Sequence, residues 1–146
     1  MTTGAGRYHI LLVEDSPTDR LIAVQALKLA AVPTTLQFAE DGVEAMAYLH
    51  AGATDPSVLR PHLILLDLNL PKKDGRAVLA ELKADEDLRL IPVVVLTTSS
   101  ARDDVLYAYG LHANSYLTKP VDFSEFARSI ATTINYWFQV VTLPDR

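Results

Sequence analysis

Asp67 ends an uninterrupted apolar run, Leu63-Ile64-Leu65-Leu66, and Pro71 and the Asp74-Gly75 pair follow within a few residues. A short run without alternation suits a strand covered on both faces, and the proline and Asp-Gly pair mark a loop just beyond it. The acid is therefore expected at the carboxyl end of a buried strand, the edge where open α/β sheets bind ligands. Three other runs end on polar groups. Residues 8–13 lead into Glu14-Asp15, residues 92–96 into Thr97, and residues 114–117 stop just before Lys119-Pro120. If these strands are parallel neighbours, all five groups meet at one edge.

Carboxylates gathered there repel: two unit charges about 5 Å apart cost roughly 3 kcal/mol at an effective dielectric of about 20. Such crowding is tolerated where a carboxylate takes a proton or a cation is bound. Oxygen ligands in a chain without cysteine favour a hard ion such as Mg2+, which uses one or two carboxylates together with water and phosphate oxygens. Lys119 adds a fixed positive charge, and Thr97 a hydroxyl donor. A carboxylate nucleophile, a divalent ion and a lysine are the parts that phosphoryl transfer needs. Taken singly, each acid reads equally as a helix cap or loop residue; their joint arrival at strand ends points to chemistry.

The elements that must position these groups follow from the patterning. Ser16-Pro17 opens a helix, with Ser16 or Asp15 capping and Pro17 in the first turn. Leu21, Val24, Leu27 and Leu29 recur at helical spacing to about Ala31, and Pro33 ends the helix. Residues 36–39 form a short second strand, and Asp41-Gly42 begins a helix through Ala45, Met46 and Leu49. Residues 51–61 read as a loop with a partial turn near Val58. Residues 76–85 and 101–109 are helices, the second closed by Gly110. Asp122 caps a last helix with Phe123, Phe126, Ile130, Ile134 and Trp137 along one face. Five strands alternating with five helices predict an α/β, doubly wound parallel sheet in the order 2-1-3-4-5, which sets Glu14 and Asp15 beside Asp67. Residues 8–138 are expected to form the domain, with tails at 1–7 and 139–146.

The 146 residues suit one domain with a real core, and 49% hydrophobic with 21% charged residues is ordinary for a soluble globular protein. A net charge of -5 and a pI of 5.2 leave no basic footprint for nucleic acid. Residues 1–7 lack the apolar core of a signal peptide, and no run approaches the length of a membrane span. A cytoplasmic location is the natural expectation, without membrane attachment.

Four pieces, in order, carry a family resemblance: Leu-Val-Glu-Asp-Ser at 12–16, Leu-Leu-Asp-Leu-Asn-Leu-Pro-Lys-Lys-Asp-Gly at 65–75, Val-Leu-Thr at 95–97 and Tyr-Leu-Thr-Lys-Pro at 116–120. From about residue 9 to residue 134 the chain resembles the receiver domains of two-component response regulators, which have a flavodoxin-like fold. The resemblance implies that Asp67 accepts a phosphoryl group from a histidine kinase or phosphotransfer protein. It implies that Glu14, Asp15, Asp67 and the backbone carbonyl of Asn69 hold Mg2+, that Lys119 binds phosphate, and that Thr97 and Tyr116 form a switch pair. It also implies a cis Lys119-Pro120 bond. More narrowly, the long 51–61 connection, the Leu-Asn-Leu-Pro-Lys-Lys-Asp-Gly wording, Leu-Thr-Thr-Ser at 96–99 and the tail resemble small stand-alone receivers paired with phytochrome-type histidine kinases. Glu14 stands where an aspartate is frequent, keeping the charge and lengthening the reach.

Some residues carry two readings. Tyr116 is either a space-filling aromatic or a ring whose rotamer follows Thr97. Asn69 and Ser99 flank the expected pocket, either as loop hydrogen-bonding groups or as residues that admit or exclude water near an acyl phosphate. His9, His50, His62 and His112 are scattered and read as structural. Tyr136-Trp137-Phe138 are consecutive and cannot all face one side of a helix, so a homodimer through the fourth helix, fifth strand, last helix and tail is expected. A haloacid-dehalogenase-type phosphohydrolase is a rival, but it wants an acid at position 69 and a cap domain. A receiver-like module working without phosphorylation is another. A dinucleotide or flavin binder lacks its glycine-rich loop after the first strand. Beyond transfer to, and hydrolysis from, its own Asp67, no enzymatic turnover is expected.

Overall fold

A computed structural model describes residues 8–98 and 101–144; residues 1–7, Ser99, Ser100 and the last two residues of the tail lie outside the described range. Strands β1 (Tyr8–Val13), β2 (Thr34–Ala39), β3 (Leu63–Asp67), β4 (Val93–Thr97) and β5 (Ser115–Thr118) alternate with helices α1 (Pro17–Leu29), α2 (Gly42–Ala51), α3 (Gly75–Ala84), α4 (Arg102–Gly110) and α5 (Phe123–Asn135). The sheet is parallel throughout in the order β2-β1-β3-β4-β5, as the patterning predicts. Strand β2 starts two residues earlier than expected because Thr34 and Thr35 pair with Tyr8 and His9.

Alternation along the strands divides the core into two layers. Leu11, Val13, Ile64, Leu66, Val93 and Val95 point to the side covered by α2 and α3, with Ala108 of α4. Ile10, Leu12, Leu63, Leu65, Val94 and Leu96 point to the side covered by α1 and α5. Every residue of β3 and β4 is buried, which explains their continuous apolar runs.

Side-chain caps fix the starts of α1, α2, α3 and α5. Ser16 accepts from the Asp19 N–H at 3.2 Å with Pro17 at the first position, Asp41 from Glu44 at 2.8 Å, Asp74 from Arg76 at 2.8 Å and Asp122 from Glu125 at 2.9 Å. Each such cap stabilises by about 1 kcal/mol. They matter for function because α1 and α3 begin at the edge where β1 and β3 end.

Two details depart from the patterning. A 3-10 turn at Leu88–Leu90 lies in the connection before β4, held by Asp85 Oδ1, which accepts from the N–H groups of Asp87 and Leu88 at 2.8 and 2.9 Å; a single turn has no periodicity to read. The inward stripe of α5 is Phe126, Ala127, Ile130, Ala131 and Ile134, whereas Phe123 is 64% exposed and Trp137 only half-buried. Beyond Asn135 the chain makes a π-helical turn, Tyr136–Val140, which brings Phe138 into the core in series with Phe126, Ile130 and Ile134. Of the three consecutive aromatics, Phe138 is buried, Trp137 lies partly against the core and Tyr136 is exposed.

Candidate functional site

The carboxyl ends of β1, β3 and β5 converge. Beyond the end of β1, the Glu14 N–H continues the ladder to the Ala39 carbonyl at 3.0 Å. Alternation then turns Glu14, like Leu12, and Asp67, like Leu65, toward the α1/α5 side. One carboxylate oxygen each from Glu14, Asp15 and Asp67 lies within 4.8 Å of the others; Glu14 and Asp67 are buried and Asp15 is exposed. Lys119 follows β5, its N–H donating to the Thr97 carbonyl at 2.7 Å. Its ammonium, on a side chain only 7% exposed, donates to Glu14 Oε1 at 2.6 Å, Asp19 Oδ2 at 2.7 Å and Asp67 Oδ2 at 3.4 Å. The cluster that the strand ends suggested is thus one pocket with the lysine inside it.

Asp19 was not singled out from the sequence. It sits in the first turn of α1 and reads there as an acid favourable to the helix dipole. Its signal is positional: the start of α1 lies at the same edge as Glu14.

Burial pushes the Glu14 carboxyl up to about 7, against the hydrogen bond from Lys119, and the Asp67 charge adds to the rise. Burial alone would lower Lys119. Its bonds to Asp19 and Glu14 and the charges of Glu14 and Asp67 outweigh that and hold it firmly protonated. Three carboxylates around one ammonium leave negative charge in excess, and an oxygen-only set suits a hard divalent cation. The residues present therefore fit the ion that the acidic cluster implied.

Asn69 stands two residues past Asp67, its N–H donating to Asp67 Oδ1 at 3.1 Å and its side-chain amide to Thr97 Oγ1 at 3.4 Å. Thr97 is 1% exposed. Tyr116 pairs with Val95 and lies partly buried against the α2/α3 core layer. Thr97 and Tyr116 therefore belong to one face of the sheet, opposite the face of Glu14 and Asp67. Ser99 lies outside the described residues. The Lys119-Pro120 bond is trans, correcting the cis form that the resemblance implied; the isomers differ by only about 0.5–1 kcal/mol, and the lysine reaches the carboxylates from the trans form.

The histidines are less scattered than their spacing suggested. His50 lies near Glu81 and His112 follows α4 with φ 69°, but His9 and His62 stack with ring centroids 5.4 Å apart. They sit at the amino edge of the sheet, away from the carboxylates. His62 Nδ1 accepts from the His9 N–H at 3.0 Å, and its ring meets Tyr8 edge-on, while Tyr8 stacks on Phe138 at 4.3 Å. Burial and the facing His9 lower the His62 pKa below its ordinary 6.5. A depressed base favours the neutral form, so its contribution to stability is full above pH 6.5 and is lost as pH falls from there through the folded-state value. Glu14 acts oppositely, stabilising most at low pH and losing that contribution as pH rises from 4.5 to about 7. The expected result is therefore a difference: between about pH 7.5 and pH 5.5, the urea midpoint of the native chain falls relative to that of His62→Gln. Parallel curves for the two would contradict the assignment.

Comparison with known proteins agrees with this fold. Residues 10–131 match the response regulator receiver domain family. The chain is 48% identical over 135 residues to response regulator Rcp1 of Synechocystis sp., covering 92% of each chain. The crystal structure of the Mn2+-bound form of Rcp1 superimposes with a TM-score of 0.86 at 47% identity, covering 94% of this chain and 99% of that one. The crystal structure of the phosphorylated cyanobacterial phytochrome response regulator RcpA gives a TM-score of 0.89 at 45% identity, with 95% and 99% covered.

Proposed function

The chain belongs to the response regulator receiver domain family, and from that premise we propose that Asp67 accepts a phosphoryl group from a histidine kinase of the phytochrome type, or from a phosphotransfer protein. The observation that carries this reading is the single pocket uniting Glu14, Asp15, Asp67 and Lys119. An Asp67 carboxylate oxygen attacks phosphorus in line with the phosphohistidine P–N bond. That bond breaks, its electron pair stays on the imidazole nitrogen, and Asp67 becomes an acyl phosphate. Lys119 binds one phosphoryl oxygen, and the Thr97 hydroxyl donates to another. Glu14, Asp15, Asp67 and the Asn69 carbonyl would hold Mg2+, which when bound neutralises charge on the phosphoryl oxygens. Attack of water on the same phosphorus releases phosphate and resets Asp67.

Movement of Thr97 toward the phosphoryl group frees space on its own sheet face, into which Tyr116 turns. That is a local event biasing a two-state element. Output then passes through protein contacts, here a homodimer on the face of α4, β5 and the end of α5. Leu106, Tyr107 and Tyr109 of α4 are each about half exposed, as is Tyr136, and Val140 is 72% exposed. Truncation after residue 134 would strip Phe138 from the core, so Leu106→Glu is the cleaner probe of the interface. No helix among the described residues is long and apolar enough to cross a membrane.

One experiment tests both parts: incubation with acetyl phosphate and Mg2+, reading intact mass and light scattering on the same sample. The expected result is a gain of one phosphoryl that EDTA prevents, together with a change in self-association. Tyr116→Ala keeps the mass gain and loses the change; Leu106→Glu weakens association. Metal-independent uptake would contradict the site. A monomer throughout would contradict the dimer, and unaltered coupling in Tyr116→Ala would contradict the switch.

A further inference from the structure

The ammonium of Lys119 lies nearer to Asp19 Oδ2, at 2.7 Å, than to Asp67 Oδ2, at 3.4 Å. Its third partner, Glu14, is one of the expected metal ligands and is bound at 2.6 Å. An ammonium has three hydrogens, and these three carboxylates together can engage all of them. A phosphoryl oxygen arriving on Asp67 therefore needs a donor that is already committed. Of the three partners, Asp19 is the one that neither carries the phosphoryl group nor belongs to the proposed ligand set. It is also the most exposed, at 24% for its side chain against 2% for Glu14 and 9% for Asp67, so water can replace the lysine at the least cost there.

Accepting the phosphoryl-acceptor reading of Asp67, we infer that Asp19 is a positioning residue: it holds Lys119 in the resting protein and surrenders it to the phosphoryl group. The exchange is one hydrogen bond for another. Lys119 stays protonated, its N–H moves from Asp19 Oδ2 to a phosphoryl oxygen, and Asp19 is left to solvent. Asp19 thereby sets how strongly the resting site competes with the phosphorylated one. Removal of its charge leaves the cap of α1 in place, because the cap uses the Asp19 backbone N–H on Ser16 and not the carboxylate; only the favourable interaction with the helix dipole is lost.

The probe is beryllofluoride, a phosphoryl mimic, titrated at saturating Mg2+ into the native chain, Asp19→Asn, Lys119→Met and the double variant. Asp19→Asn is expected to bind the mimic more tightly, by about 3- to 10-fold as for the loss of a competing, partly exposed ion pair. In the Lys119→Met background the same substitution is expected to change nothing. Unaltered or weaker binding by Asp19→Asn would overturn the inference. Equal tightening with and without Lys119 would also overturn it, since that is general charge repulsion. Failure of the native chain to bind the mimic would instead count against Asp67 as acceptor, which separates the two claims.

Discussion

Asp67→Asn is expected to leave the fold standing and to lower phosphoryl uptake from acetyl phosphate by at least about 10^3-fold, as removal of a nucleophile does. The two side chains have nearly the same shape, and the position is only 6% exposed, so packing tolerates the exchange. The amide cannot attack phosphorus. It also removes one of the carboxylates crowded around Lys119, so the metal-free variant should unfold at a urea midpoint no lower than that of the native chain. Intact mass after timed incubation measures the first effect and a denaturation curve the second. A variant that unfolds readily would show instead that Asp67 holds the structure together, and phosphorylation at the native rate would move the acceptor elsewhere.

Gly75→Ala is expected to destabilise by about 3 kcal/mol or more, at the upper end of overpacking substitutions. A Cβ at residue 75 would lie 2.2 Å from the Asp67 carbonyl oxygen and 2.6 Å from the Leu68 Cα. Both are backbone atoms, so no side chain can swing away. The Gly75 N–H also closes the loop onto the Leu68 carbonyl at 3.0 Å, which binds the start of α3 to the end of β3. Relief must therefore shift backbone, at the start of α3 or at Asp67 itself, and a misplacement of about 1 Å at a reacting atom can cost on the order of 10^2-fold in rate. Gly110→Ala is the matched control, because nothing lies within 4 Å of its added Cβ. The control should be neutral or gain up to about 1 kcal/mol through a less flexible unfolded chain. Equal denaturation midpoints for the two alanine variants would contradict the close approach.

The strand ends made the site readable. Glu14, Asp67 and Thr97 each end an apolar run that a buried strand explains, Lys119 follows a short, half-buried edge strand, and the parallel order then brings them together without knowledge of any contact. Asp19 was hidden because an acid in a first helical turn already has a local reason to be there. Its bond to a lysine 100 residues away exists only once the fold lets the Lys119 side chain reach from the end of β5 to the first turn of α1. Phe138 was hidden by geometry of another kind: Trp137 and Phe138, three and four residues past Ile134, fit a helical count about equally, and the π-helical turn after Asn135 is what settles Phe138 in the core. The pairing of His9 with His62 was within reach, since the register Ile10 to Leu63 extends by one residue to both rings. The order 2-1-3 implied that adjacency.

The most direct measurement locates the phosphoryl group. The chain is incubated with acetyl phosphate, with and without Mg2+, the acyl phosphate is reduced with borohydride, and the converted residue is found by peptide mass spectrometry. Conversion at residue 67 alone, and only with the metal present, is the predicted result. Conversion at Glu14, Asp15 or Asp19, or a phosphate that resists reduction because it sits on a histidine or hydroxyl, would contradict the account.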